Sequence, residues 1–501
     1  MNMNRLFYYC LLAGLLCPGS ASFGQSVNKT RTIVTSDGEV DDMDSFIRLL
    51  LYSNELNIAG MVYSSSEFHY SGDGKGTTFT SNMPWAKGYG TRTHLRWLDT
   101  QWMQDYIDKY AMVYPNLLKH DKNYPSPAAL KKLVHIGNID FEGEMEHNTD
   151  GSDFIRRTLL DEDPAPVYIQ VWGGTNTIAR ALRSIEESYK DKKEWKAIYK
   201  KVSDKLTLHI ILDQDETYKK YVSQHWPDIR VIMNGSQFWT LAYPWKQMVP
   251  EPGRSTLDGP WFGEHIKLNH GPLTGAYFCW GDGQKLLADS DHTQGSLDTA
   301  IKKGMKQYSF ISEGDSPSYL YLINNGLRSF ENPSWGGWGG RFEQSANNLR
   351  LYQDGSNVTD YNEIDKKQDP AYPQARWVEA MQHDFAARAD WCVKEFTNAN
   401  HPPVVQLVSP KNVAAKAGET ITLSVKLSDP DGNALSIKWW QYKEAGSCKM
   451  DASIASPEKS ITKLLIPADA LKGSTIHLIA EVSDNGSPSL TRYARVVITV
   501  Q

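Results

Sequence analysis

Cysteine is scarce in this chain of 501 residues: there are five, and two of them, Cys10 and Cys17, fall in an N-terminal apolar stretch. The remaining three, Cys279, Cys392 and Cys448, cannot make a disulfide framework. Long apolar runs are missing as well. Nowhere after residue 23 do about 18 such residues follow one another, which argues against a membrane-spanning bundle. Basic blocks are absent, with 53 Lys plus Arg against 59 Asp plus Glu, so nothing here tracks the phosphates of a nucleic acid. No Ser-His-Asp spacing or cysteine-nucleophile signature is found, and Gly72-Asp73-Gly74-Lys75-Gly76 lacks the spacing of a P-loop. Aromatic residues, by contrast, are plentiful. The 16 Trp and 25 Tyr exceed what a core alone calls for and hint at sugar-stacking surfaces.

The length exceeds what one hydrophobic core sustains, so at least two domains are expected. Arg5, the apolar stretch Leu6 to Cys17 and the small residues Gly19 to Ser22 read as a signal peptide over residues 1–24, which predicts a periplasmic or extracellular protein. Leu16 stands before Cys17 where a lipoprotein cysteine would need a small residue. From Arg31 to about Ile311, β-rich runs alternate with helical periods, the pattern of βαβ units in a parallel sheet with helices on both faces. Strands are predicted at Thr32–Thr35, Ile58–Ser64, Val167–Val171, Leu206–Leu212 and Ile229–Met233. Helices are predicted at Met43–Tyr52, His94–Val113, Ser152–Leu160, Ile178–Tyr189 and Glu216–His225, with a closing helix at Gln374–Phe396. The α/β domain thus covers 25–400. Short alternating strands after His401-Pro402-Pro403 predict an immunoglobulin-like β-sandwich over 401–501, separable at that polar, proline-stiffened segment. Trp439 and Trp440 point to opposite faces of one of its strands, one inward and one open. Asp429-Pro430-Asp431-Gly432 is either a turn or a calcium site.

After the first strand, Asp37-Gly38-Glu39-Val40-Asp41-Asp42-Met43-Asp44 places five acids in eight positions. Carboxylates this close repel unless they share a cation or a proton, and hard divalent cations prefer such ligands. Helix N-capping by Asp41 or Asp42 accounts for one or two of them, not five. The loop lies beyond the carboxyl end of a strand, where open α/β sheets bind ligands. Elsewhere, Glu142, Glu144, Glu146 and His147 form either a solvated acidic loop or a source of a proton donor.

The acidic loop resembles the Asp-x-Asp-Pro-Gly-x-Asp-Asp signature of the nucleoside hydrolases, with Thr35 in place of the first Asp and Gly38-Glu39 in place of Pro-Gly. Val171-Trp172-Gly173-Gly174-Thr175-Asn176 and Glu313-Gly314-Asp315-Ser316-Pro317 are similar to two further segments of that family, in the same order. Across almost all of the mature length the chain resembles the secreted nucleoside hydrolase-like branch labelled cellulose-binding protein. This likeness includes Trp335-Gly336-Gly337-Trp338-Gly339-Gly340-Arg341 and Asp384-Phe385-Ala386-Ala387-Arg388. The resemblance implies a bound Ca2+ held by Asp37, Asp42, Asp315 and the main-chain carbonyl of Val171 or Trp172, with Asp41 as general base. Beside it, Glu39 intrudes where the family has Gly and either fills substrate space or adds a ligand. Asn234 either hydrogen-bonds a sugar or belongs to an Asn-Gly-Ser turn. Trp335 and Trp338 either stack on a sugar or form a buried loop, and Arg341 either pairs with a site acid or anchors that loop. The implied activity is cleavage of a glycosidic bond in a glycan or furanoside fragment; the alternative is a non-catalytic polysaccharide binder on the same fold. The expected partner is a carbohydrate.

Overall fold

The computed structural model describes residues 29–501, so the leader assigned to 1–24 lies outside the described residues. In chain order the sheet and its site-bearing helices are β1 (Arg31–Ser36), α1 (Val40–Leu51), β2 (Asn57–Tyr63), α2 (Trp102–His120), β3 (Val134–Ile136), β4 (Val167–Val171), β5 (Leu206–Ile211), β6 (Arg230–Asn234), β7 (Glu343–Gln344) and β8 (Leu351–Gln353). The strand order is β3-β2-β1-β4-β5-β6-β8-β7, parallel throughout except for the β7–β8 edge. Thr35 of β1 pairs with Val62 on one side and Val171 on the other. β4 and β5 are buried at every position, as a sheet covered on both faces requires. The chain runs outward from β1 in one direction and from β4 in the other. The ends of these two strands therefore border the topological switch point, the crevice where open sheets take their ligands.

The predicted strands and helices recur with shifted ends. α2 starts at Trp102 instead of His94, because the Asp99 carboxylate accepts from the N–H groups of Gln101 and Trp102 at 2.7 and 3.0 Å and holds the preceding segment as a turn. β3, β7 and β8 have two or three residues each, too few to show a period in sequence. No strand forms before Asp315; Phe310 makes only an isolated bridge to Cys279.

The C-terminal part is a β-sandwich of two four-stranded sheets closing around Leu423, Trp439, Leu464 and Ile476. Trp439 is buried within it while Trp440, on the opposite face, stays partly open. Asp429 accepts from the N–H groups of Asp431 and Asn433, so that motif is a turn, and Asp431 accepts in turn from the backbone and Nδ1 of His401. No helix among the described residues is long and apolar enough to cross a membrane.

The two parts share a core across the expected boundary at His401. Tyr442, Ile479 and Tyr493 of the sandwich belong to the same apolar cluster as Trp338, Trp377 and Phe385. Arg492 donates to Asp384 at 2.7 Å, and Arg388 and Tyr52 meet the same carboxylate at 2.9 and 2.7 Å. Burial opposes ionisation of Asp384, but Arg492 and Arg388 together hold its pKa far below the usual range. Arg495 donates to the carbonyls of Trp335 and Gly336 at 2.6 and 3.0 Å. Arg341, Arg376 and the Tyr442 hydroxyl converge on buried Asp360 at 3.0, 3.1 and 2.5 Å. The Trp335–Arg341 loop is therefore an interdomain anchor. Trp338 has no exposed surface, Trp335 packs edge-on to His477, and Arg341 pairs with Asp360 and not with a site acid. Of the two readings open for these residues, the buried loop is the one the structure shows, because the sandwich covers the face that a sugar would need.

Two outcomes follow from the shared core. Trp338→Ala should cost about 3–5 kcal/mol of stability in chemical denaturation, the range for emptying a large buried aromatic site. A loss below about 1 kcal/mol would mean the ring is not core. A chain ending at Asn400 should aggregate or melt far below the full protein; a cooperative transition at the full-length Tm would show that the interface contributes nothing.

Candidate functional site

The site grows from the end of β1. Gly38 follows Asp37 with φ +83°, and a Cβ there would stand 3.0 Å from the Trp102 indole nitrogen, so only glycine makes this turn comfortably. The chain then enters α1 with Glu39 as its N-cap residue, and Glu39 makes no side-chain capping bond. Asp41 and Asp42 fall in the first turn of α1, where the helix dipole favours negative charge. From the end of β4, Gly173 lets the neighbouring loop close on the acids: a Cβ there would lie 2.9 Å from Asp37. Asp315 arrives on a third segment.

The five acids of the first loop divide by contact. Asp44 is structural, accepting from the Phe278 N–H at 2.8 Å. Glu39 accepts from the Tyr243 hydroxyl at 2.6 Å and Asp42 from the Ser36 hydroxyl at 2.5 Å. Asp37 faces buried His69, with Oδ2 to Nδ1 at 3.5 Å, an ion contact longer than a good hydrogen bond. Asp41, like Glu39, is partly exposed, with Ser312 Oγ 3.3 Å from its Oδ2. Capping thus uses none of these side chains. Asp41, Asp42 and Asp315 each place a carboxylate oxygen so that all three oxygens lie within 4.8 Å of one another. The resemblance implied Asp37 in that set and Asp41 outside it; the fold puts Asp41 inside and turns Asp37 toward His69.

Electrostatics match this crowding. Burial, and then the charges of Asp37, Asp315 and Asp41, push Asp42 well above the ordinary carboxylate range. Burial followed by Asp41 and Asp37 does the same to Asp315, and burial followed by Glu39 and Asp37 to Asp41. Asp37 goes the other way: burial opposes ionisation, but His69 outweighs it and lowers the pKa. For His69, burial opposes protonation and is overcome by Asp289 and Asp37, lifting the imidazole to about 9. Both oxygens of Asp37 and Oδ2 of Asp315 are buried without a hydrogen-bond partner. Unpaired carboxylate oxygens in a dry pocket are costly unless a cation meets them. The donor set is hard oxygen throughout, which fits Ca2+ or a similar divalent ion. Val171 ends β4 beside Thr35, while the Trp172 carbonyl accepts from Gln214 Nε2 at 2.8 Å.

Two segments are held face to face by a second ion pair. Arg48 of α1 and Glu313 meet at 2.5 and 3.0 Å with both side chains wholly buried, and the Tyr277 and Ser316 hydroxyls complete the shell of Glu313. Gly314 sits so close that a Cβ would come 2.9 Å from Asp41 Oδ2.

Above the acids opens a cavity of about 200 Å3, lined by Asp41, Asp42, Asp315, Trp172, Trp239 and Tyr243, with Phe68, Trp85 and Arg96 on its rim. Trp85 is 58% exposed and stacked on Phe68. Here are the open aromatic faces that the Trp335–Trp338 loop was expected to provide. Sequence reading missed Trp85, Trp239, Tyr243, His69 and Arg96; Trp239 stands in a short 3-10 turn over Gln237–Leu241 and the others in irregular segments, and Arg96 in addition has φ +43°, an uncommon conformation that marks constrained loops. Asn234 ends β6 with its Oδ1 accepting from the Phe238 N–H at 2.9 Å, as the turn reading requires, and its buried Nδ2 has no partner. It does not line the cavity. Glu142, Glu144, Glu146 and His147 lie elsewhere: Glu144 binds Asn138, and Glu146 pairs with Arg183 on the outside of the sheet.

Residues 31–342 match the family described as cellulose-binding Sde182, nucleoside hydrolase-like domain, and residues 420–500 match its partner, the cellulose-binding protein Sde0182 C-terminal domain. The chain belongs to this family. A solved nucleoside hydrolase-related protein from Saccharophagus degradans, described as associated with carbohydrate metabolism, is 26% identical. It aligns over 94% of this chain and 100% of its own length with a TM-score of 0.69. The effector protein XOO4466 and the plant nucleoside hydrolase PpNRh1 are each 10% identical, aligning over 73% and 70% of this chain and 94% and 98% of their own, with TM-scores of 0.36 and 0.32. No curated protein sequence matches the chain.

The crowding generates a direct test. Asp315→Asn removes one buried charge, so the metal-free variant should melt higher than the metal-free parent at pH 7, and it should lose the rise in Tm that millimolar Ca2+ gives the parent. A variant that melts lower without metal, or keeps the full Ca2+ response, would contradict a shared cation.

Proposed function

We propose that the protein is an exported, divalent-cation-dependent glycoside hydrolase acting on a glycan or furanoside fragment. The observation that supports this reading is the three-carboxylate cluster at the switch point, largely buried, with Asp315 Oδ2 and both oxygens of neighbouring Asp37 lacking hydrogen-bond partners, and roofed by open aromatic rings. Asp42 and Asp315 would hold Ca2+, with Asp37 behind them. When bound, the ion would chelate two adjacent sugar hydroxyls and stabilise charge as the anomeric centre becomes oxocarbenium-like.

The chain's own groups supply the rest. Trp85 and Trp239 offer flat apolar faces for the sugar rings on either side of the scissile bond. Asp41, the partly exposed acid of the three-carboxylate cluster, takes the proton from a water attacking the anomeric carbon. The glycosidic bond breaks with its electron pair going to the departing oxygen, and the Tyr243 hydroxyl, hydrogen-bonded to Glu39, is the proton donor on that rim. Glu39 and Tyr243 narrow the mouth, which selects a terminal unit over an internal one.

A second reading, polysaccharide binding without turnover, is favoured by the cavity itself. Its volume of about 200 Å3 is below the roughly 300 Å3 at which small-molecule clefts begin. One experiment separates the two: product release from a panel of plant and microbial oligosaccharides, run with Ca2+ and with chelator. Hydrolysis that needs the ion, and that falls by at least about a hundredfold in Asp41→Asn while Ca2+ binding persists, supports the enzyme. Binding with no product from any member of the panel leaves the second reading, and unchanged turnover in Asp41→Asn removes that residue from the mechanism.

A further inference from the structure

Three ionisable groups from three segments meet where the domains join: His120 ends α2, His401 opens the linker, and Asp431 stands in a turn of the sandwich. They form a chain. His120 Nδ1 lies 2.9 Å from His401 Nε2, and His401 Nδ1 lies 2.9 Å from Asp431 Oδ1. The outer end is tied as well, with His120 Nε2 2.9 Å from the Lys394 carbonyl.

These contacts fix where the hydrogens are. A carbonyl only accepts, so His120 Nε2 donates; the Asp431 carboxylate, which takes the His401 main-chain N–H at 2.6 Å, accepts from His401 Nδ1 too. Two neutral rings have no other hydrogen to give. The nitrogens that face each other would then oppose two lone pairs, and they bond only when one further proton lies between them. A metal does not fit the gap. With centroids 5.1 Å apart and planes 29° from parallel, the two nitrogens point at each other nearly in line. An ion at about 2.0–2.1 Å from each could not stand on a line 2.9 Å long.

The surroundings suit one positive charge and not two. Phe396 stacks on His401 with centroids 3.9 Å apart and Trp391 lies close to parallel with both imidazoles, so aromatic faces flank the cation. Lys119 pairs with Glu395, Lys394 with Asp390 and Arg388 with Glu55, while Asp121 accepts from Asn54 and the Asn123 N–H. Asp431 is therefore the carboxylate that meets the imidazoles, and a second proton would set two cations head to head against it. Burial, and after it the charge of His401, hold the His120 pKa below its ordinary value against the pull of the Lys394 carbonyl. A cleft of about 640 Å3 opens beside both rings, so solvent protons reach them.

We propose that His120 and His401 form a pH-sensitive latch between the two domains, closed by one shared proton and opened by a second. Because the closed joint keeps His120 neutral, the opened joint takes up the second proton first. The latch is thus secure above the ordinary histidine value of about 6.5 and weakens as pH falls below it.

Hydrogen exchange of the full chain tests this, read by mass spectrometry over residues 394–404 and corrected for the intrinsic rate at each pH. The His401 amide, bonded to Asp431, falls in that segment. In the wild type, protection should drop by at least about tenfold between pH 7.5 and pH 5.5. In His120→Gln the new amide can donate to the Lys394 carbonyl and accept from His401 without gaining a proton, so protection should hold within about twofold. His401→Gln should reverse the trend: once His120 is protonated, the new amide accepts from it and donates to Asp431, and protection rises in acid. A wild type without the drop, or equal drops in wild type and His120→Gln, would overturn the proposal. If His120→Gln does not fold, a drop in His401→Gln like that of the wild type overturns it alone.

Discussion

The Arg48–Glu313 pair holds α1 against the turn that carries Asp315, and the acidic cluster depends on it. Two ionised carboxylates within 4.8 Å repel by roughly 3 kcal/mol or more at an effective dielectric of about 20. Left to themselves, the helix start with Asp41 and Asp42 would drift from Asp315. The bidentate guanidinium bond, with Tyr277 and Ser316 filling the remaining positions on Glu313, ties both segments through a group that has no exposed surface. A buried pair of this kind adds little net stability but is expensive to break, about 3–5 kcal/mol when one partner is removed. It fixes geometry more than it supplies energy. Strain that the fold accepts at the cluster is then relieved by whatever cation or proton the carboxylates share.

The same logic extends to the domain boundary. Asp384 and Asp360 are buried acids, each compensated by groups from both domains, so neither domain is electrostatically complete alone. The glycine-rich Trp335–Arg341 loop lies between them and lends its backbone carbonyls to Arg495. In consequence the sandwich and the α/β domain are joined by buried charge as well as by apolar packing.

Much of this was legible in sequence where a long periodic run or a dense motif carried the signal. The parallel sheet followed from buried β-branched runs, and the acid density after β1 located the site at the strand ends. Trp439 and Trp440 were correctly placed on opposite faces by the two-residue period alone. The failures have physical causes. Trp338 stands among glycines, a composition shared by open binding loops and by tightly packed ones; only the presence of Arg492 and Tyr493 overhead distinguishes them. His69, which faces Asp37 in the fold, lies 32 residues on in a loop without period, so its contact with that acid has no local signal. Trp85 and Tyr243 reach the rim through long-range packing that no local pattern records.

The central claim is that Asp42 and Asp315, crowded beside Asp41, are gathered in order to share a cation. Elemental analysis of the full-length protein, dialysed exhaustively into buffer free of chelator, measures this most directly. About one equivalent of a divalent ion, displaced by EDTA and absent from Asp42→Asn, is the predicted result. A protein that carries no ion, and takes up none from millimolar Ca2+ at neutral pH, would mean that protons alone reconcile these carboxylates, and the claim would be wrong.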